Sequence, residues 1–328
     1  MHINFFLPPV KRPAGGVAVI VKLAALLHRA GLPARLVLRQ EGWLPGDETP
    51  PPVAAWSELA LTPQDVWVAP EGWVNALAPG LQAKARCVVY CQNWAYLFSS
   101  LPPGLRLGNL PVEYLAVSDP VARFIEASLS AKPDILRPGV NLETFQAPPS
   151  KPGPPWRVAY MPRKNKALAA QIRAVFESRG QSRDVEWIEV HGLGPGQVAD
   201  RLRSAHVFLA TGFPEGCPLP PLEAMACGCL TVGFTGFGGQ DYMRQAPGAR
   251  FVSPHPLRDV PWAGNGLWSA DADVLDAALN LERALEWWRR GAKELQETLQ
   301  AAGQTAAAYS SQAFEANALD IFRSLAHN

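Results

Sequence analysis

Apolar residues fall along this chain in short runs of four to six, bounded by Gly, Pro or Asp, with stretches of helical spacing between them. Ile3–Leu7 reads as a buried strand and gives way to a Pro/Gly loop that ends at Gly15-Gly16. Val17–Ala30 then carries apolar residues at helical spacing and stops at Gly31, a residue suited to a helix end. Arg35–Leu38, Asp65–Ala69, Arg86–Tyr90 and Glu113–Ser118 are further predicted strands. Runs that are apolar throughout suit parallel strands covered on both faces. Strand–helix alternation of this kind predicts a doubly wound α/β sheet.

The pattern stops at Gln146–Pro155, where six of ten residues are Pro or Gly and neither a helix nor a central strand can continue. It restarts with a strand at Trp156–Met161, a helix from about Ala167, a strand at Val185–Val190 and a helix at Gly196–Ser204. Strands follow at Val207–Ala210 and Leu230–Phe234, then helical stretches at Asp273–Thr298 and Thr305–Leu325. No repeat at a solenoid period is present. The prediction is two α/β domains, residues 1–146 and 147–304, followed by a terminal helical segment, residues 305–328.

Composition narrows the function classes. At 328 residues the chain is long for one core and suits two domains of about 150 residues. Net charge is +1 and neither half is basic, so nucleic-acid binding has little electrostatic support. The five cysteines form no even framework and read as reduced thiols of a cytoplasmic protein. The start lacks a charged n-region, and no run approaches the ~18 apolar residues of a membrane span. Val17–Ala30 shows no basic face, so peripheral membrane contact has no support in the sequence.

The most informative segment is Phe213–Gly228. Glu215 and Glu223, eight residues apart, bracket a Gly/Pro-rich turn and the first turn of an apolar helix. A helix start offers N–H groups to a phosphate, and the carboxylates can accept hydrogen bonds from sugar hydroxyls, so the segment suits a nucleotide-sugar. An acid at a helix start is also favoured by the macrodipole alone. Glu223, however, lies among Leu222, Ala224, Met225 and Ala226, where a carboxylate needs a partner. Ligands of such domains sit at the C-terminal edges of the sheets, which singles out Gly15-Gly16, Arg163–Lys166 and Glu215–Glu223.

Other motifs read more plainly. Asp119 before Pro120 predicts a helix N-cap with Pro at N1. Gly192-Leu193-Gly194-Pro195-Gly196 lacks the third glycine position of a dinucleotide loop. Asp271-Ala272-Asp273 precedes a helical run, and capping explains it better than a metal site. His28, His191, His206 and His255 show no ligand spacing.

Glu215-Gly216-x-Pro218-Leu219-x-x-Leu222-Glu223-Ala224-Met225-Ala226-x-Gly228 resembles the E-x7-E motif of retaining glycosyltransferases of family 4, which have the GT-B fold of two Rossmann-like domains facing each other across a cleft. Val198–Thr211, Val232–Gly239 and Arg137–Phe145 are similar to the family's flanking and interdomain segments. The resemblance is strong over 137–245, weaker before it and generic after 250. It implies that the first domain takes the acceptor, the second the nucleotide-sugar, and that 305–328 packs back on the first.

Carried over residue by residue, the resemblance implies that Glu223 accepts hydrogen bonds from the ribose and that Glu215 meets the donor sugar. Backbone from Gly216 through Cys217 and Pro218 to Leu219 would meet sugar and diphosphate, and Gly15 and Gly16, with Gly238 and Gly239 read likewise, would let the backbone approach the donor phosphate or the acceptor. Arg163 and Lys166 would neutralise the leaving diphosphate, although Lys164 could serve instead. Gln92 or Asn93 would face the acceptor where many relatives have a His. Cys217 stands where an aromatic is usual, and Pro218, Pro220 and Pro221 supply no N–H. The implied reaction is sugar transfer from a nucleotide-diphosphate-sugar to a glycan, lipid-linked or small-molecule hydroxyl, without metal or cofactor. A nucleotide-sugar epimerase of the same fold, or a non-catalytic nucleotide-sugar-binding subunit, is the alternative.

Overall fold

The computed structural model describes residues 1–9, 15–39, 51–180 and 182–327. Contacts divide the chain into two compact units, Met1–Pro138 with Phe314–Asn328, and Gly139–Ala313. The change of unit thus falls before the Pro-rich stretch at 146–155.

The first unit is built on β1 (Ile3–Leu7), α1 (Gly16–Arg29), β2 (Ala34–Leu38), β3 (Val53–Ala55), β4 (Val66–Pro70), α2 (Ala78–Gln82), β5 (Arg86–Cys91), β6 (Val112–Ala116), α3 (Asp119–Leu129) and β7 (Asp134–Ile135). Its seven strands are parallel, in the order β3-β2-β1-β4-β5-β6-β7. Every residue of β1 and β4 is buried, as expected of central strands covered on both faces. The chain runs outward from β1 to β3 and then crosses back to β4 on the other side of β1. The strand order therefore reverses between β1 and β4, the place where an open parallel sheet leaves a crevice at its C-terminal edge.

The second unit contains β8 (Trp156–Tyr160), α4 (Lys166–Ser178), β9 (Val185–Glu189), α5 (Pro195–Ser204), β10 (Val207–Ala210), α6 (Leu219–Ala226), β11 (Leu230–Phe234), β12 (Gly266–Ser269), α7 (Val274–Arg290) and α8 (Lys293–Ala308). Five parallel strands run β12-β11-β10-β8-β9, and their order reverses between β8 and β10. Alternation along β10 divides the core into two layers. Val207 and Leu209 pack with Ile172 and Phe176 of α4 and Leu281 of α7. Phe208 and Ala210 pack with Leu202 of α5, Leu222 and Met225 of α6 and Ala302 of α8.

The chain ends in α9 (Ser311–His327). Beyond Phe314 this helix belongs to the first unit, where Phe322 stacks on Phe5 at 5.5 Å and the Asn317 side chain donates to the Ile135 carbonyl at 2.9 Å. The tail differs from the predicted helices twice: Tyr309 and Ser310, inside the predicted Thr305–Leu325 helix, separate α8 from α9, and a second break lies earlier. Gly291, with φ 57°, ends α7, and the next helix runs straight through residues 299–304. A left-handed residue costs glycine nothing, so this position stops a helix that composition alone would continue.

Asp119 is not the cap of α3. The Ser118 hydroxyl caps it by accepting the Val121 N–H, which moves Pro120 to the second helical position and leaves Asp119 to pair with Arg137. None of the five cysteines is in a disulfide, and burial pushes Cys87 up to about 11 and Cys227 up to about 12. No helix among the described residues is long and apolar enough to cross a membrane.

Candidate active site

The reversal between β8 and β10 brings two loops together at the C-terminal edge of the second sheet, Pro162–Asn165 after β8 and Thr211–Pro218 after β10. Asn165 ties them. It takes the left-handed conformation (φ 56°, ψ 42°) that Asn tolerates better than most residues, and its side-chain amide donates to the carbonyls of Thr211 and Phe213, both at 2.9 Å. Lys164 completes the clasp, its ammonium lying 2.9 Å from Glu215 Oε1 and donating to the Pro214 carbonyl at 2.9 Å. Both side chains are only about one-fifth exposed (23% and 20%), so the pair is far less screened than a surface ion pair.

A cavity of about 200 Å³ opens beside this pair. Arg163, Lys164 and Glu215 bring polar groups to its lining, and Met161, Val190, Leu193 and Val198 bring apolar surface. His191 and Gly192 also line it, although sequence reasoning set both aside. Their position after β9 was the available signal: they lie at the same sheet edge as the loops after β8 and β10.

Lys166 is placed elsewhere. It opens α4, is exposed, and is not among the cavity's lining residues, whereas Arg163 is exposed and lines the cavity. Of the two lysines, the fold brings Lys164 to Glu215.

Glu215 is fixed from behind by a turn that follows β11. Its N–H donates to the Gly236 carbonyl at 2.9 Å, and its own carbonyl accepts the Gly238 N–H at 3.1 Å. A Cβ on Gly236 (φ 65°) would lie 2.7 Å from the Gly212 carbonyl and 2.8 Å from Glu215 Cβ. Only glycine fits there. Gly238 and Gly239, expected to give close backbone approach to a ligand, belong to this support. Both are buried, the Gly238 N–H is engaged by Glu215 and Gly236, and the Gly239 N–H by Thr235. A Cβ on Gly238 would overlap the Gly216 carbonyl, and one on Gly239 would meet the Met243 sulfur at 2.6 Å.

Helix α6 begins at Leu219, with Pro218 as its N-cap and Pro220 and Pro221 in its first turn. From Pro218 to Pro221 only Leu219 has an N–H, so this helix start offers little of the usual donor row. Tyr242, fully buried, anchors it by donating its hydroxyl to the Pro218 carbonyl at 2.6 Å. Glu223 is the fifth residue of α6, one turn later than expected, and half-buried. Gly216 is buried, and half-buried Cys217 packs against the core layer beneath α6.

The first unit has its own cluster at the reversal between β1 and β4. Gly16 opens α1 so close to Gln92 that a Cβ there would lie 2.9 Å from the Gln92 amide nitrogen, while Gly15 (φ 56°) faces open space. The Gln92 N–H donates to Glu71 Oε2 at 2.9 Å. Asn93 is buried, and its side-chain oxygen accepts the Ala95 N–H at 3.1 Å, a capping role. Glu71 went unnoticed in the sequence, although it follows an apolar strand at the same edge. Burial pushes its carboxyl up to about 7, against hydrogen bonds from its own N–H and those of Gln92 and Asn93.

No protein-family model matches the chain. In sequence it is similar to the alpha-1,6-glucosyltransferase of Actinobacillus pleuropneumoniae serotype 7 (strain AP76), at 24% identity over 246 residues, 72% of this chain and 74% of that protein. In structure it is similar to a glycosyltransferase from Rickettsia africae ESF-5, with a TM-score of 0.74 at 11% identity over 100% of this chain and 99% of that one. Anabaena Alr3699/HepE in complex with UDP and glucose gives a TM-score of 0.65 at 14% identity, over 99% and 100% of the two chains. At these identities the structural likeness carries the fold: two parallel-sheet α/β units, the GT-B architecture of these glycosyltransferases.

Proposed function

We propose that this protein is a retaining glycosyltransferase that moves a sugar from a nucleotide-diphosphate-sugar bound by the second unit to an acceptor hydroxyl. The observation that carries the reading is the Lys164–Glu215 pair, 2.9 Å apart beside a cavity at the strand-order reversal. It sets a fixed cation next to a carboxylate, the two groups that a sugar diphosphate requires side by side.

In this reading Lys164 and Arg163 face the diphosphate, Glu215 accepts hydrogen bonds from the sugar hydroxyls, and Glu223 accepts those of the ribose. The apolar surface of Met161, Val190 and Leu193 suits the base. Reaction breaks the bond from the anomeric carbon to the phosphate oxygen and forms one to the acceptor oxygen on the same face. The departing phosphate oxygen takes the acceptor's proton, so no side-chain base is required. Lys164 and Arg163 stabilise the charge that collects on the diphosphate, and activity is expected to persist in EDTA. The acceptor, a glycan or lipid-linked sugar, is assigned to the first unit at Gly15, Gly16, Glu71, Gln92 and Asn93.

UDP-glucose is the first donor to try, because one similar structure holds UDP with glucose and the sequence relative is a glucosyltransferase. Product analysis over a panel of nucleotide-sugars separates a new glycoside from an epimerised donor and from binding without turnover; either of the latter overturns the transferase reading. Glu223→Ala is expected to weaken nucleotide affinity by roughly 10-fold or more, the worth of hydrogen bonds to a charged acceptor. Equal affinity in the two proteins sinks the ribose assignment.

A further inference from the structure

The Asp271–Asp273 pair divides its work. Asp273 caps α7, its carboxylate accepting the Asp276 N–H at 3.0 Å. Asp271, just beyond the end of β12, turns instead to the neighbouring strand's exit and accepts the Gly236 N–H at 2.7 Å. Burial pushes its carboxyl up to about 6, opposed by hydrogen bonds from the N–H groups of Gly236, Phe237 and Thr235 and from the Thr235 side chain. The direct hydrogen bond is the one from Gly236, while the Thr235 hydroxyl oxygen accepts the Phe237 N–H at 3.4 Å. The Thr235–Phe237 turn holds two successive left-handed residues, Gly236 (φ 65°) and Phe237 (φ 66°), a conformation that a non-glycine residue keeps only when its surroundings fix it.

The opposite side of the same turn is the surface on which Glu215 is registered. Gly236 accepts the Glu215 N–H, Glu215 accepts the Gly238 N–H, and Glu215 forms a parallel bridge with Phe237. The turn lies between two carboxylates: Asp271 holds the Gly236 N–H, and the backbone of Glu215 pairs with the Gly236 carbonyl and the Gly238 N–H.

We propose that Asp271 is a positioning residue for Glu215, its carboxylate fixing the Thr235–Phe237 turn and the turn fixing where the Glu215 side chain meets the donor sugar. This rests on the donor-site reading above. Asp271 reaches the sugar only through Glu215, so its loss spares recognition of the nucleotide. Asparagine is the informative replacement. It keeps the shape and one acceptor oxygen, but loses the negative charge and replaces the second oxygen by an N–H2 donor.

The experiment measures UDP affinity by calorimetry and turnover of the preferred UDP-sugar, by hydrolysis where no acceptor is supplied, for wild type, Asp271→Asn, Glu215→Gln and the double variant. Asp271→Asn is expected to bind UDP within twofold of wild type while kcat falls about 10- to 100-fold. In the Glu215→Gln background the second substitution should have little further effect, since groups acting through one another are not additive. Unchanged kcat overturns the inference, as does an equal loss of UDP affinity and kcat, or full additivity in the double variant. A wild type that binds no donor from a panel of UDP-, ADP- and GDP-sugars overturns the donor-site reading itself, a result distinct from the other three. Should Asp271→Asn fail to fold, Asp271→Ser, which keeps a hydroxyl oxygen as acceptor, is judged by the same comparison.

Discussion

Lys164 and Lys166 are two residues apart and chemically identical, yet the fold gives them different neighbours. Asn165 between them turns left-handed, so Lys164 points to Pro214 and Glu215 while Lys166 becomes the exposed first residue of α4. The sequence shows a basic loop after a strand, but in a loop no periodicity assigns side chains to faces, and the choice between the lysines depends on that one backbone angle. Lys164→Met is expected to raise the UDP dissociation constant about 10- to 100-fold, because removing one member of a partly buried charge pair also strands the other. Lys166→Met should leave it within twofold. Calorimetric titration of both variants decides, and equal effects would return the assignment to Lys166.

At the scale of elements, legibility follows burial and length together. Central strands such as β1, β10 and β11 coincide with their predicted ranges, since a strand buried on both faces must be apolar throughout. The edge strands β3, β7 and β12 were missed: β3 and β7 are two or three residues long and partly exposed, and β12, though buried throughout, is only four residues and opens on a glycine. The Gly238-Gly239 pair is visible in the sequence, but its role is not. Glycine permits a backbone to approach a ligand or another segment of its own chain, and the sequence does not say which. Gly238→Ala discriminates. With its Cβ forced onto the Gly216 carbonyl, the 215–218 loop must shift, and both stability and UDP affinity should fall, the melting temperature by on the order of 5 °C or more. A variant of unchanged stability and reduced affinity would instead place Gly238 against the ligand. The prolines at the start of α6 belong at this scale too. They fix the helix's direction and leave the holding of an anion chiefly to side-chain cations.

For the molecule as a whole, the two strand-order reversals were the least legible feature, because order in a sheet is set by crossovers that no local pattern encodes. Once they are known, the cluster at Glu71 stands out. Its effect belongs to the stability of the entire chain. The folded-state pKa of about 7 lies above the ordinary 4.5, so the protonated form is favoured in the fold. That contribution is full below about pH 4.5 and is lost as pH rises through 7. Glu71→Gln, which keeps an acceptor for the Gln92 N–H, should melt with wild type near pH 4.5 and several degrees above it at pH 8. Parallel melting curves at all pH values would show that Glu71 is not held in this way.

Each candidate site is made of loops at the edge of its own sheet, Gly16, Glu71 and Gln92 in one unit and Lys164, Thr211 and Glu215 in the other, and they share neither a residue nor a strand. On the function proposed above, donor choice and acceptor choice are free to drift separately in evolution. A chain of this architecture can exchange one substrate without relearning the other, and a graft of one loop set onto a relative is the natural way to redirect it.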